Sequence, residues 1–99
     1  MALNQLLTLL NEALEDKKAE DIKVLDVRKL CSFTDIMVVA SGLTSRQVSA
    51  MAHHLIEQVK AHGKRPLSET GRENGEWALV DLGEVVVHLM QPQIRSFYQ

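Results

Sequence analysis

Apolar residues recur at two different periods along this chain. Leu3, Leu6, Leu7, Leu10, Ala13 and Leu14 are spaced by three and four, so the opening stretch predicts an amphipathic helix over about residues 3–18. Lys17 and Lys18 fall in its last turn, at the negative end of the helix dipole. Its stripe needs a sheet to pack on. Residues 21–29 alternate well enough for a strand, and residues 31–35 read as a connection. Ile36-Met-Val-Val-Ala40 is apolar on both faces, as a central strand must be, and Ser41-Gly42 closes it. Val48, Met51, Ala52, Leu55, Ile56 and Val59 form a second helical stripe that opens at Thr44 and runs to about His62. Thr44 followed by Gln47 has the form of a capping box, and Gly63 is a natural left-handed stop. Pro66 cannot donate a ladder hydrogen bond, so a strand near it belongs at a sheet edge. Residues 69–75 are polar and Gly-rich, which predicts an exposed loop.

The densest pattern lies in residues 76–90. It predicts two strands joined by a very short turn around Gly83. With Leu82-Gly83 as the loop residues, Asp81 lies opposite Glu84, Leu79 opposite Val86 and Trp77 opposite His88. A three-residue loop would slip the pairing by one. One hairpin face carries Ala78, Val80, Leu82, Val85, Val87 and Leu89, all aliphatic, and needs covering by helices. The other carries Trp77, Leu79, Asp81, Glu84, Val86, His88 and Met90. That mixture suits a surface that meets a partner as well as it suits a core. Pro92 ends the hairpin, and residues 94–99 start a final helix. The element order is α-β-β-α-β-β-β-α. It predicts an α/β fold: a single domain spanning 1–99, with a mixed β-sheet and helices packed beside it.

With 99 residues, one domain is the expectation. The net charge of -2 argues against broad binding to a phosphate backbone. It leaves room for a basic protein partner, including one seated on nucleic acid. The single cysteine, Cys31, allows no intramolecular disulfide and fits a reducing compartment. No signal peptide and no membrane-length apolar run is recognisable, so a cytoplasmic location without membrane attachment is expected.

The chain offers little for chemistry. Asp26 and Asp35 stand near strands, but no Asp-x-Asp or Asp-x-Glu pair places two carboxylates on one strand face. Glu73 and Glu76 straddle a loop and a strand start. Nothing around Cys31 resembles a nucleophile motif. His53 and His54 are adjacent on a helix and point about 100° apart, the wrong geometry for shared metal ligation. His53 and Glu57 have helical spacing and read as a surface contact. His62 suits the last helical turn, and His88 reads as a sheet histidine before a ligand. No catalytic residue, cofactor or metal is expected. Residues 41–46 join a strand to a helix N-terminus, where free N–H groups could hold an anion. The P-loop pattern is absent. This entry resembles that of a nucleotidyltransferase fold, yet the acidic pair such enzymes carry on the next strand is missing. Simple capping is the better reading. Trp77, the sole Trp, stands open between core and interface.

Three runs together resemble the ribosomal silencing factor (Iojap-like) family. They are Asp35-Ile-Met-Val-Val-Ala-Ser-Gly-Leu-Thr-Ser-Arg46, then Gly75-Glu-Trp-Ala-Leu-Val-Asp-Leu-Gly-Glu-Val-Val-Val-His-Leu-Met90, then Arg95-Ser-Phe-Tyr98. The resemblance covers nearly the whole chain. It implies a nucleotidyltransferase-like topology without the catalytic carboxylates. It also implies a translational repressor, active when nutrients are short. That repressor binds the large ribosomal subunit at its joining face through a basic protein, the fourteenth of that subunit, with little direct nucleic-acid contact, and sterically blocks the small subunit. Assembly of the large subunit is the alternative, ahead of a nucleotidyltransferase-like enzyme or nucleotide-binding module, and a homodimer is open. Position by position, Trp77, Asp81, His88 and Met90 match the family's run and would line the docking face, with Arg95 and Tyr98 in the segment after it. Asp81 and Glu84 would orient a basic partner. Family members usually continue into a Leu-Glu-x-Leu-Trp-like helical tail, so a short or trimmed tail is expected here.

Overall fold

The computed structural model describes residues 1–30, 32 and 34–97. Its elements are α1 (Leu3–Asp16), β1 (Glu20–Asp26), β2 (Ile36–Ser41), α2 (Ser45–Ala61), β3 (Ser68–Thr70), β4 (Trp77–Asp81), β5 (Val85–Met90) and α3 (Pro92–Phe97). The order is the one the periodicities predict. The strands form one five-stranded mixed sheet in the order β1-β2-β5-β4-β3. Only β2 and β5 are parallel; the other neighbours are antiparallel.

β2 and β5 occupy the interior of the sheet, which explains why β2 is apolar on two faces and β5 departs from that only at His88. Their even-odd alternation divides the chain's apolar residues. Ile36, Val38 and Ala40, Ala78 and Val80, and Val85, Val87 and Leu89 point to one side and are buried. There they meet the two helical stripes, Leu6, Leu10 and Leu14 of α1 and Val48, Met51, Leu55 and Val59 of α2, in one core cluster. Each fully buried aliphatic side chain in this cluster stabilises the fold by about 1.5–3 kcal/mol relative to exposure.

The two helices run antiparallel. Gln47, in the first turn of α2, donates its amide to the carbonyls of Lys17 and Lys18 at the end of α1 (3.1 and 3.0 Å). Both helices stop in the same way. After α2, Lys64 N–H donates to Val59 O (2.9 Å) and Gly63 N–H to Lys60 O (3.0 Å), with Gly63 at φ +84°. After α1, Ala19 N–H donates to Leu14 O (3.0 Å) and Lys18 N–H to Glu15 O (2.9 Å), but the left-handed residue is Lys18, at φ +60°. Lys17 and Lys18 therefore lie just past the helix, not inside its last turn.

The hairpin turn differs from expectation. Leu82 N–H donates to Val85 O (2.8 Å), so the two loop residues are Gly83 and Glu84. Gly83 takes φ +90°, and glycine as first loop residue is what a II′-type connection demands. Trp77 consequently lies opposite Met90, Leu79 opposite His88 and Asp81 opposite Val86. The shift moves each pairing by two, an even number, so the two hairpin faces keep the membership read from the sequence. β3 takes Glu69 and Thr70 out of the expected loop and forms the short edge strand beyond Pro66. α3 begins at Pro92 itself, the first helical position, where a missing N–H costs nothing.

Candidate functional site

The sheet face turned away from α1 and α2 can be laid out row by row, because strand partners project to the same side. Lys23, Val39, His88, Leu79 and Thr70 stand abreast across β1, β2, β5, β4 and β3. The neighbouring row toward the β4–β5 turn is Leu25, Met37, Val86, Asp81 and Ser68. On the other side the row is Glu20, Ser41, Met90 and Trp77. α3 borders this last row. Arg95, only 8% exposed, donates from Nη1 to Ser41 Oγ at 2.8 Å, and its Nη2 lies 3.5 Å from Asp21 Oδ2. The short helix is thereby tied to β2 and β1.

His88 sits at the centre of this layout. Trp77, diagonal to it across β4 and β5, donates its indole N–H to His88 Nδ1 at 3.2 Å. The ring centroids are 5.9 Å apart and tilted by 42°. An indole nitrogen can only donate, so His88 Nδ1 is the bare acceptor and the ring proton resides on Nε2. Burial holds the His88 pKa below its ordinary value, which favours the same neutral ring.

Around the pair the sheet is concave. A hollow of about 380 Å³ is walled by Leu25, Met37, Val39, Met90 and Trp77. Among the described residues, its polar lining consists of Lys23, His88 and Arg95. Leu79, Val86, Met37 and Val39 are half-buried on the side away from α1 and α2. A contiguous apolar face of this kind, rimmed by charge, is what interaction surfaces present.

The expected docking residues separate into two groups. Trp77, His88, Met90 and Arg95 come together around the hollow. Asp81 and Glu84 stand at the turn end, and neither lines it. Asp81 is half-buried, and its Oδ1 accepts from Gly83 N–H at 2.9 Å, so it braces the turn. The Glu84 side chain is exposed, while its carbonyl accepts from Asp35 N–H, Ile36 N–H and Thr34 Oγ1, each at 3.0 Å. Tyr98 lies outside the described residues, as does Cys31. Lys23, Leu25, Met37 and Val39 were not singled out by sequence. Their signal was the second face of two strands, and it becomes readable only once β1, β2 and β5 are known to be neighbours.

The other candidates resolve into structural contacts. At the 41–46 turn, Leu43 N–H donates to Gln47 Oε1 (2.7 Å) and Gln47 N–H to Thr44 Oγ1 (3.1 Å), so those donors are spent on capping. His53 Nδ1 faces Arg72 Nη1 at 3.3 Å, not Glu57, and His54 Nε2 lies 3.0 Å from Asp16. His62 caps α2 just past its end, and its Nδ1 bonds the Gln58 carbonyl of the last turn at 2.9 Å. The Arg28 guanidinium holds the exposed Asp26 carboxyl down at about 2. Among the described residues, no three His, Cys, Asp or Glu side chains converge as metal ligands, and no helix is long and apolar enough to cross a membrane.

Comparison with known proteins adds a family. The sequence model of the family described as "Ribosomal silencing factor during starvation" matches residues 1–99. A relative from Chromobacterium violaceum, named Ribosomal silencing factor RsfS, is 44% identical over 98 residues, which is 99% of this chain and 80% of that protein. A crystal structure from the same organism superposes with a TM-score of 0.95 at 44% identity, covering 99% of this chain and 82% of the other. A Mus musculus relative named Mitochondrial assembly of ribosomal large subunit protein 1 is 32% identical over 92% of this chain and 41% of its own length.

Proposed function

This chain belongs to the ribosomal silencing factor family, and on that footing we propose that it is a non-catalytic translational repressor. It binds the large ribosomal subunit at the joining face, through the basic protein numbered fourteen, and keeps the small subunit away by occupying its place. The setting is the cytoplasm during nutrient shortage. The observation that carries this reading is the open sheet face. Trp77, His88 and Met90 line one concavity there, and neither α1 nor α2 covers it. Aromatic side chains at the centre of a partly desolvated patch are where binding energy concentrates. Nothing in such a mechanism has to turn over.

The test is co-sedimentation with purified large and small subunits, separately and mixed. Binding to the large subunit alone, with fewer joined ribosomes in the mixture, is the expected result. Binding to neither subunit, or joining that is unaffected despite binding, overturns it. The name of the mouse relative supports a second reading, a factor in assembly of the large subunit. It employs the same face on an immature particle. Accumulation of immature large subunits on depletion, with joining of mature subunits unaffected by added protein, would favour it.

A further inference from the structure

The charge on the open face is distributed against the simplest electrostatic picture. An acidic domain meeting a basic protein should place carboxylates at the centre of contact. The two carboxylates expected there, Asp81 and Glu84, are at the turn end instead. Among the described residues, the side chains that bring polar groups to the apolar walls of the hollow are donors: the Lys23 ammonium, the His88 Nε2–H and the edge of the Arg95 guanidinium. Arg95 already has Ser41 and Asp21 as partners. Among the described residues, Lys23 forms no ion pair and His88 Nε2 no hydrogen bond. Lys23 and His88 flank Val39 in a single row, so their Cα atoms are two strand spacings, roughly 10 Å, apart. A long lysine side chain spans much of that distance.

We propose that this hollow receives a carboxylate from the partner protein, an acidic side chain or a free chain terminus adjoining an apolar residue. The partner's basic surface meets the Asp81–Glu84 end instead. The naming of a partner on the large subunit rests on the function proposed above; the chemistry of the hollow does not. Carboxylates then stand at both ends of the face, Asp81 and Glu84 at the turn and Glu20 and Asp21 beyond Arg95, with the donors of the hollow between them. A lysine or arginine entering the hollow would stand against Lys23 and Arg95, and like charges meeting in a partly desolvated site are strongly disfavoured. An RNA phosphate would satisfy the donors but leave the walls of Leu25, Met37, Val39 and Met90 facing a hydrophilic backbone.

Two measurements test this on the full chain. In the first, the emission of Trp77, the sole Trp, is followed at constant ionic strength. The probes are 3-phenylpropionate, its neutral amide, 3-phenylpropylamine and a short oligouridylate. The carboxylate should give a saturable change in the millimolar range that Lys23→Glu abolishes, with the amide weaker and the amine silent. An equal or larger response to the amine or the RNA, or no response to the carboxylate up to tens of millimolar, overturns the proposal. In the second, large-subunit binding by Lys23→Glu and Asp81→Lys is compared with the parent. Both should bind about tenfold more weakly or worse. Tighter binding by Lys23→Glu would mean that the hollow meets a cation, and would sink the idea. If the parent itself fails to co-sediment, the proposed function falls, while the fluorescence series still decides the chemistry of the hollow.

Discussion

At the residue scale the Trp77–His88 pair is the most consequential contact of the open face. Trp77→Ala should leave the fold intact, since the indole is half-buried outside the core cluster, yet weaken large-subunit binding by about 2 kcal/mol or more. Circular dichroism beside a binding isotherm separates the two effects. The pair also sets a pH dependence. His88 must be neutral to accept from Trp77, and its folded-state pKa lies below the unfolded value of 6.5. Between those two values the unfolded chain binds the proton first. The His88 contribution to stability is therefore fully present above about pH 6.5 and is lost as pH falls through the folded pKa. Lys23 and Arg95 on this face oppose the new charge, and Asp81, Glu20 and the Asp21 paired with Arg95 partly offset them. Trp77→Phe keeps the ring but removes the donor. It should raise the His88 pKa, read by NMR titration, because a hydrogen bond to the neutral form is gone.

At the element scale, tight stops and turns decide where strands and helices end. Lys18 holds the left-handed position that Gly63 holds after α2. A side chain there costs about 1–2 kcal/mol in backbone strain, so Lys18→Gly should raise stability, by up to about 1 kcal/mol after the glycine's larger unfolded entropy is subtracted. Gly71 is the opposite case. At φ +79° its missing Cβ would fall 1.9 Å from the Trp77 carbonyl oxygen. Gly71→Ala should destabilise by about 2 kcal/mol or more and displace the strand that carries Trp77; urea unfolding and Trp emission report on each. The same elements show what is legible in a sequence. Helical stripes and strand alternation are local, so α1, α2, the central strand β2 and both hairpin faces could be read from spacing, whereas Glu69 and Thr70 of the three-residue β3 read as loop. The hairpin register could not, because Gly83 fits either loop position until the ladder bond from Leu82 to Val85 selects one. The parallel pairing of β2 with β5 and the Arg95–Ser41 contact join residues about fifty positions apart. No local pattern encodes either, which is why half of the hollow went unrecognised.

At the scale of the whole molecule, the fold is a slab of about 32 × 31 × 21 Å. α1, α2 and the core lie on one side of the sheet and the open face, bordered by α3, on the other. A slab docked by its open face presents its helical side outward, as an inert layer of substantial thickness over whatever it covers. Repression by occupancy then has a stoichiometric signature. Each bound chain removes one large subunit from joining, so the loss of joined ribosomes should track occupancy with a slope of one and saturate with it. Added bulk on the outward helical side, for instance a small domain fused through exposed Lys60, should leave binding and blocking undiminished. An enzyme would behave otherwise: one chain would disable many subunits in time, and the effect would persist after the protein was washed away. Sedimentation of mixed subunits across a titration, before and after a high-salt wash, separates the two. A sub-stoichiometric, irreversible loss would refute the occupancy mechanism, whereas recovery of joining on removal of the chain is what a reversible lid over the joining surface requires.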